Sequence, residues 1–311
     1  MYKGYRVSIV VPAHNEERHI GKVVKAMPDF VDTIIVVDDC SQDGTTQAAL
    51  ACGDPRLMVH KTPHNQGVGG AVVLGFRKAM EVGSEIIVKM DGDGQMPSEY
   101  LSSLLDALAD EGYDYAKGNR FLAGEALGLM PKHRIFGNVV LTFMTKLASG
   151  YWHIFDPQNG YLAIKGDALQ VLDLDHLNKR YFFENDMLVH LNLFGFKVKD
   201  IAIPACYGEE ESGISLVQVG STFPFLLMRR FFHRVYQKYI LRDFSPIALF
   251  LLLGLLLICW GVLFGTYVWI RSAIAQHATP TGTIMLVVLP LIMGFQLVLQ
   301  AVVLDIQETP K

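Results

Sequence analysis

Short, nearly continuous apolar runs alternate with helical periodicity along the first two thirds of the chain. Val7-Ser8-Ile9-Val10-Val11, residues 33–37 and residues 86–88 each read as a strand buried on both faces, because a strand with one wet face would alternate instead. Between them, Ile20, Val23, Val24 and Met27 recur at helical spacing, with acids expected in the first turn, and residues 67–82 and 98–110 predict two more helices. A strand near residues 113–117, a helix to about residue 149, a strand after residues 156–160 and a helix opening at residues 181–188 extend the series. Repeated strand-helix units imply an α/β domain with a mainly parallel sheet, helices on both faces and ligand at the carboxyl ends of the strands.

Beyond residue 222 the pattern changes. Arg230, Arg234 and Lys238 recur every four residues opposite Phe232, Val235, Tyr236 and Tyr239, which predicts a basic amphipathic helix on an anionic membrane surface. Residues 246–270 and 284–304 carry no charge, and each run is long enough to cross a bilayer. The loop between them holds the single cation Arg271, whereas Arg229, Arg230, Arg234, Lys238 and Arg242 precede the first span, so the positive-inside rule puts the N-terminal domain and C-terminal tail in the cytoplasm. Gln296 and Gln300, four apart on the second span, point to a helix-helix contact within or between chains, the latter making a homo-oligomer. The expected division is a catalytic domain at 1–222, an amphipathic juxtamembrane helix at 223–245 and a two-helix transmembrane region at 246–311.

Composition narrows the class. Of 311 residues, 51% are hydrophobic, which leaves apolar residues over after a full core is built, and a net charge of -4 excludes a globally basic nucleic-acid binder. The four cysteines, Cys40, Cys52, Cys206 and Cys259, show neither zinc nor disulfide spacing and fit a reducing compartment. The strand pattern from about Arg6 leaves no room for a cleavable signal.

Candidate chemistry lies at the ends of the predicted strands. The third strand runs into Asp91-Gly92-Asp93-Gly94-Gln95, two carboxylates and an amide among turn-forming glycines, and such oxygen donors suit Mg²⁺ or Mn²⁺ with positions left for water and phosphate. A lone Asp-x-Asp is also an ordinary solvated turn. The second strand runs into Asp38 and Asp39, either of which can accept a ring N–H, present in uracil and guanine alike; Ser41 or Asp43 can cap the helix that follows. Asn65-Gln66-Gly67-Val68-Gly69-Gly70 fails as a dinucleotide fingerprint, since Val72 stands at its third glycine position; these glycines permit close helix packing beside a phosphate or sugar site. Lys132-His133-Arg134 opens an apolar helix, a favourable place for an anion.

Pro12-Ala13-His14-Asn15-Glu16, Val37-Asp38-Asp39-Cys40-Ser41-Gln42-Asp43-Gly44-Thr45, Asp91-Gly92-Asp93-Gly94-Gln95 and Gly118-Asn119-Arg120, in that order, resemble the motifs of family 2 glycosyltransferases. More narrowly, the first 205 or so residues resemble polyprenyl-phosphate glycosyltransferases of the dolichol-phosphate mannose synthase type. The resemblance implies a GT-A nucleotide-sugar-binding domain followed by amphipathic interfacial helices and two transmembrane helices. It implies nucleotide contacts for Pro12, His14, Glu16, Asp39 and Asp91, with Asp38 beside them, metal-diphosphate contacts for Asp91, Asp93 and Gln95, and phosphate contacts for Arg120 and Arg134; Asp156 joins Asp93, Arg120 and Arg134 as a candidate catalytic residue. The implied reaction is inverting, metal-dependent transfer of a sugar from a UDP- or GDP-sugar to dolichyl or undecaprenyl phosphate at the membrane, with membrane lipids as partners. His14 stands where the family usually has tyrosine, and Gly213-Ile214-Ser215-Leu216 lacks the lysine of the family's Gly-x-Ser-Lys element. A processive polysaccharide synthase is disfavoured because none of Trp152, Trp260 and Trp269 completes a Gln-x-x-Arg-Trp motif, and a silent nucleotide-sugar-binding subunit because the acidic and arginine motifs are intact.

Overall fold

The apolar runs assemble side by side into a seven-stranded sheet of order β3-β2-β1-β4-β6-β5-β7. The computed structural model describes residues 1–122, 132–204 and 216–310, with side chains from residue 137 and from residue 222 onward in the helices that open the later stretches. In chain order the elements are β1 Val7–Ala13, α1 Ile20–Lys25, β2 Thr33–Asp38, α2 Thr45–Leu50, β3 Leu57–Lys61, α3 Val68–Glu81, β4 Ile86–Lys89, α4 Leu101–Ala109 and β5 Tyr115–Asn119. Then follow α5 Lys132–Ser149, β6 Leu162–Lys165, α6 Gly166–Val171, α7 Phe183–Leu193, β7 Val198–Ala202, α8 Leu216–Arg234, α9 Pro246–Ala275 and α10 Thr281–Gln307.

Every residue of β1 and β4 is buried, as central strands covered on both faces require. Val7, Ile9, Val11 and Ala13 face a core shared with α1 and α4, while Val10, one residue out of phase, faces α3 and α7 through Val72, Phe76 and Phe183. Gly75 lets α3 settle onto β1: a Cβ there would lie 2.2 Å from Val10 Cγ1. The mainly parallel sheet is as the sequence predicts. Its one reversed strand, β6, runs antiparallel to β4 and β5. This reversal brings residues 156–161, at the amino end of β6, to the same rim as the carboxyl ends of the parallel strands.

The first helix differs from expectation. It begins only at Ile20, with no acid in its first turn, because Asn15, Glu16 and Glu17 are used in loop-to-loop contacts described below. The strand expected near residues 113–117 is shifted onward to Tyr115–Asn119. Residues 205–215, which hold the acidic run Glu209-Glu210-Glu211 and most of the Gly213 element, lie outside the described residues.

Two compact units separate along the chain, Met1–Phe231 and Phe232–Thr309. In the second, Ser245 caps α9 by accepting the Ile247 N–H at 3.1 Å, with Pro246 in the first turn, where its missing N–H costs nothing. Helices α9 and α10 have 30 and 27 residues and peak mean hydropathies of 2.9 and 2.3, so at 1.5 Å per residue they reach about 45 and 40 Å. Only 28% and 11% of their most apolar windows are buried, unlike the core helix of a soluble domain. They are candidate membrane spans. Glycines hold them together: a Cβ on Gly254 would lie 2.9 Å from Gly294 O, and one on Gly261 2.5 Å from Leu291. Gln296 and Gln300 are exposed, so the contact expected of them within the chain is made by small residues instead.

The expected basic face is also redistributed. Arg230, within the first unit, pairs with Asp186 of α7, Nη2 donating to Oδ2 at 2.6 Å with Nε 2.6 Å from Oδ1. Arg234, within the second, is fully buried and forks onto Asp305 at 2.7 and 3.0 Å, with Tyr239 Oη also bonded to that carboxylate. Regular spacing makes these cations look like one face turned to an anionic membrane surface, but Arg230 and Arg234 have each found a buried carboxylate, as the fully buried Arg234 must.

Candidate active site

At the rim, the loops after β1 and β2 are sewn together. Asn15 adopts a left-handed conformation, φ 61°, which turns its backbone N–H to Ser41 Oγ at 2.9 Å while its side-chain oxygen accepts the Gln42 N–H at 2.9 Å. The Glu16 N–H donates to Thr45 Oγ1, and Glu17 accepts from the Gly44 N–H. Asp43 accepts the Thr45 N–H at 3.1 Å at the start of α2, close to the capping role expected for it. His14 lies 2.8 Å from the Asp39 carbonyl through Nδ1, which makes Nδ1 the protonated nitrogen and leaves Nε2 facing the Asn15 and Asn65 amides. Pro12 is buried in β1, and its carbonyl would lie 3.2 Å from a Cβ on Gly92, so glycine lets the loop after β4 approach β1 closely.

Both acids at the end of β2, Asp38 within it and Asp39 just beyond, hold the backbone in place. Asp38 is fully buried and accepts from the Ser41 N–H at 2.7 Å and from the Thr46 hydroxyl, with Lys61 Nζ at 3.5 Å. Burial acts to raise its pKa, but these donors outweigh it and hold the carboxyl below its ordinary range. Asp39, 3% exposed, accepts from Thr62 Oγ1, the Gln66 N–H and the Gly67 N–H, each at 2.8 Å. The glycine-rich turn is therefore tied to Asp39, and it packs against a second segment: a Cβ on Gly69 would strike Asn178 O at 2.4 Å.

On the other side of the rim, acids meet cations. Lys89, the last residue of β4 and 1% exposed, places Nζ 2.8 Å from Asp91 Oδ1 and 3.1 Å from Glu184 Oε1 on α7. Burial opposes its charge, yet the two carboxylates prevail and raise its pKa above the usual lysine value. Gly160 makes room for this group, since a Cβ there would lie 2.2 Å from Lys89 Nζ and 2.8 Å from Asp91 Oδ2. Asp91 is itself about one-third exposed. Asp93 Oδ1 accepts the Gln95 N–H at 2.9 Å across a turn that Gly94 closes at φ 75°. The three hard oxygen donors, partly exposed at one turn, fit a divalent cation in chemistry.

Arg120 follows β5 and forks onto Asp156, Nε to Oδ2 at 2.7 Å and Nη2 to Oδ1 at 2.8 Å. Asp156 reaches it from a left-handed backbone, φ 49°, in the segment that the reversed β6 delivers. Burial alone would raise the Asp156 pKa, but Arg120 and then Lys117 hold it below the usual range. Lys117 is fully buried, donating to Phe155 O at 2.7 Å and pairing with Asp200 at 3.2 Å, and Asn119 donates to the same carboxylate at 2.7 Å. Lys132-His133-Arg134 does open α5, but the Arg134 side chain lies outside the described residues.

Thus Pro12, His14, Glu16, Asp38, Asp39, Asp91, Asp93, Gln95, Arg120 and Asp156 all belong to segments ending at one rim. Neither Lys89 nor Glu184 is among the site residues expected from the sequence. The signal was present: a lysine closing an apolar strand has to find a buried partner.

A family model, Glycosyl transferase family 2, matches residues 8–184. The chain is 33% identical over 218 residues to the polyprenol monophosphomannose synthase of Mycolicibacterium smegmatis, covering 68% of this chain and 80% of that protein. It is 31% identical over 222 residues to the undecaprenyl-phosphate mannosyltransferase of Micrococcus luteus, covering 69% and 88%. Among solved structures, the glucosyl-3-phosphoglycerate synthase of Mycobacterium tuberculosis in complex with Mn²⁺, uridine diphosphate and phosphoglyceric acid superposes with a TM-score of 0.55 at 20% identity, covering 74% of this chain and 78% of that one. That likeness shows the fold.

Proposed function

The chain belongs to glycosyl transferase family 2, and on that premise we propose that it transfers a sugar from a UDP- or GDP-sugar to a polyprenyl phosphate, with inversion, at the cytoplasmic face of a membrane. The observation that carries the reading is the convergence of the loops after β1, β2, β4 and β5 on one rim, in a chain that also bears two helices long and apolar enough to cross a bilayer. The relatives named for polyprenyl or undecaprenyl phosphate support the acceptor class, and the basic surplus before Pro246 supports the cytoplasmic face.

In this reading His14, Glu16 and Asp39 border the nucleoside, with the buried Asp38 shaping the loop beneath it. Asp93 and Gln95, with Asp91 beside them, would hold Mg²⁺ or Mn²⁺, which supplies neutralisation of the diphosphate as the glycosidic bond breaks. Arg120 meets the acceptor phosphate. Its fork is set by Asp156, whose lowered pKa and bidentate pairing suit it to aiming the guanidinium rather than taking a proton. A phosphate monoester with a second pKa near 6 is already mostly dianionic at pH 7 and needs no strong base. Arg134, at the start of α5, is assigned to the same phosphate.

The test is to incubate the purified full-length chain and a short-chain polyprenyl phosphate with a panel of UDP- and GDP-sugars, with and without Mn²⁺. Formation of a glycosyl polyprenyl phosphate from one donor, abolished by EDTA, is expected. Transfer to water alone, or growth of a polymer, would replace the reading with a hydrolase or a processive synthase.

A further inference from the structure

The buried ammonium at the end of β4 carries an inference that rests on the metal-diphosphate reading above and deepens it. We infer that Lys89 is a positioning residue that withholds Asp91 from service as a second anionic metal ligand, so that the divalent cation enters the site together with the donor diphosphate rather than before it.

Lys89 cannot be a solvated surface charge, being 1% exposed in a strand whose other residues are all apolar. Its two carboxylate partners come from different elements, Asp91 at 2.8 Å from the following loop and Glu184 at 3.1 Å from α7. Gly160 closes over them, in contact distance of both Nζ and Asp91 Oδ2 for any Cβ placed there. The ammonium is thus fixed, and with it Asp91 Oδ1. A dication bound to Asp91 would sit a few ångströms from a buried positive charge, where the low dielectric strengthens repulsion. Asp91, Lys89 and Glu184 together carry one net negative charge, where two unpaired acids would carry two. Among the described residues, no three His, Cys, Asp or Glu side chains gather as a ready-made cage. A cation held by few protein oxygens takes its remaining ligands from substrate phosphates. Sequential entry follows: the donor brings the charge that completes the site.

The test reads Mn²⁺ binding by electron paramagnetic resonance on the full-length protein in detergent, alone and with saturating UDP or GDP. The wild-type chain should bind Mn²⁺ weakly alone and about tenfold or more tightly with one of the nucleotides. Lys89→Met with Glu184→Gln removes the ammonium while keeping the net charge of the trio, so Mn²⁺ alone should bind about tenfold more tightly and the gain from nucleotide should shrink. Glu184→Gln by itself leaves the ammonium wholly to Asp91 and should weaken Mn²⁺ alone by about threefold. A Lys89 that serves only packing would leave the double variant at or below wild-type affinity for Mn²⁺ alone, and that result overturns the inference. Should the double variant not fold by circular dichroism, an unchanged or higher affinity in Glu184→Gln overturns it instead. A wild-type chain that binds no Mn²⁺ with either nucleotide removes the metal-diphosphate reading itself, whereas one that binds it beside an indifferent double variant removes only the role of Lys89.

Discussion

The two halves of the rim hold their carboxylates by different means. On the side of β1 and β2, Asp38 and Asp39 are satisfied almost wholly by backbone N–H groups and hydroxyls. On the side of β4, β5 and β6, Asp91, Asp156 and Asp200 are each held by a cation, Lys89, Arg120 and Lys117. Neutral donors fix the shape of a loop without cancelling its charge; cations do both. In the proposed reading the first half presents a fixed surface to the nucleoside ring and its N–H groups, and the second balances charge where anionic phosphates would arrive and leave. Substitutions in the second half should change turnover with the fold intact, and those in the first should change stability and nucleotide affinity.

The largest effect belongs to the charge-balancing half. Asp93→Ala should lower turnover by about 10³, on the scale of losing a main electrostatic contribution to the transition state, with an unaltered thermal midpoint. Full activity in that variant, or in EDTA, would break the comparison at its strongest point. Next, Arg120→Lys should lower kcat/KM for polyprenyl phosphate by about 10², because an ammonium cannot keep two parallel bonds to Asp156 and still present a planar edge. Calorimetric titration with the nucleotide sugar separates donor from acceptor here; an equal loss of donor affinity would move Arg120 to the diphosphate.

In the shape-fixing half the expected loss is of a different kind. Asp39→Asn can turn its NH₂ to the Thr62 hydroxyl, which leaves the Gln66 and Gly67 N–H groups to share one neutral oxygen in place of a charged carboxylate, and stability should fall by about 1–3 kcal/mol. Thermal denaturation with and without UDP or GDP checks this. A variant as stable as the wild type but dead in turnover would place Asp39 with the charge-bearing residues.

How much of this was legible follows the same divide. Strands β1, β2, β4, β5 and β6, the mainly parallel sheet, the helical hairpin and the four rim motifs could be read because burial on both faces and strand-end acids leave local patterns in sequence, whereas the half-buried β3 and β7 leave none so plain. What could not be read depends on the reversal of β6, which no local pattern announces. That reversal brings Asp156 to Arg120 and Gly160 to Lys89, across 36 and 71 residues of chain. Nor does spacing reveal that Arg230 and Arg234 leave one apparent basic face for Asp186 and Asp305, since a buried pair and a solvated one have the same periodicity. Glu184 and Asp186 do lie on different faces of α7, as their spacing requires, and each meets its own cation.

The smallest effect concerns acid and sharpens the comparison from the shape-fixing side. Asp38 is buried, and its carboxyl is held below the ordinary range by the Ser41 N–H, the Thr46 hydroxyl and Lys61 against the opposing push of burial. The folded chain therefore binds that proton less readily than the unfolded chain does. The stability it contributes is complete above the unfolded aspartate value near 4 and is lost as pH falls through the lowered folded value. Asp38→Asn keeps the size of the side chain and an oxygen for the Ser41 N–H, and the Thr46 hydroxyl can turn to accept from the new amide. At neutral pH the variant should thus melt within a few degrees of the wild type. Below about pH 4 its thermal midpoint should fall less steeply, because one of the carboxylates that must be protonated there is gone. Parallel melting series of the two full-length proteins in detergent between pH 7 and pH 3 make the measurement. Identical acid slopes would mean that the neutral donors hold Asp38 for shape alone, and that acid sensitivity resides elsewhere, with the Arg120-held Asp156 the acid to test next.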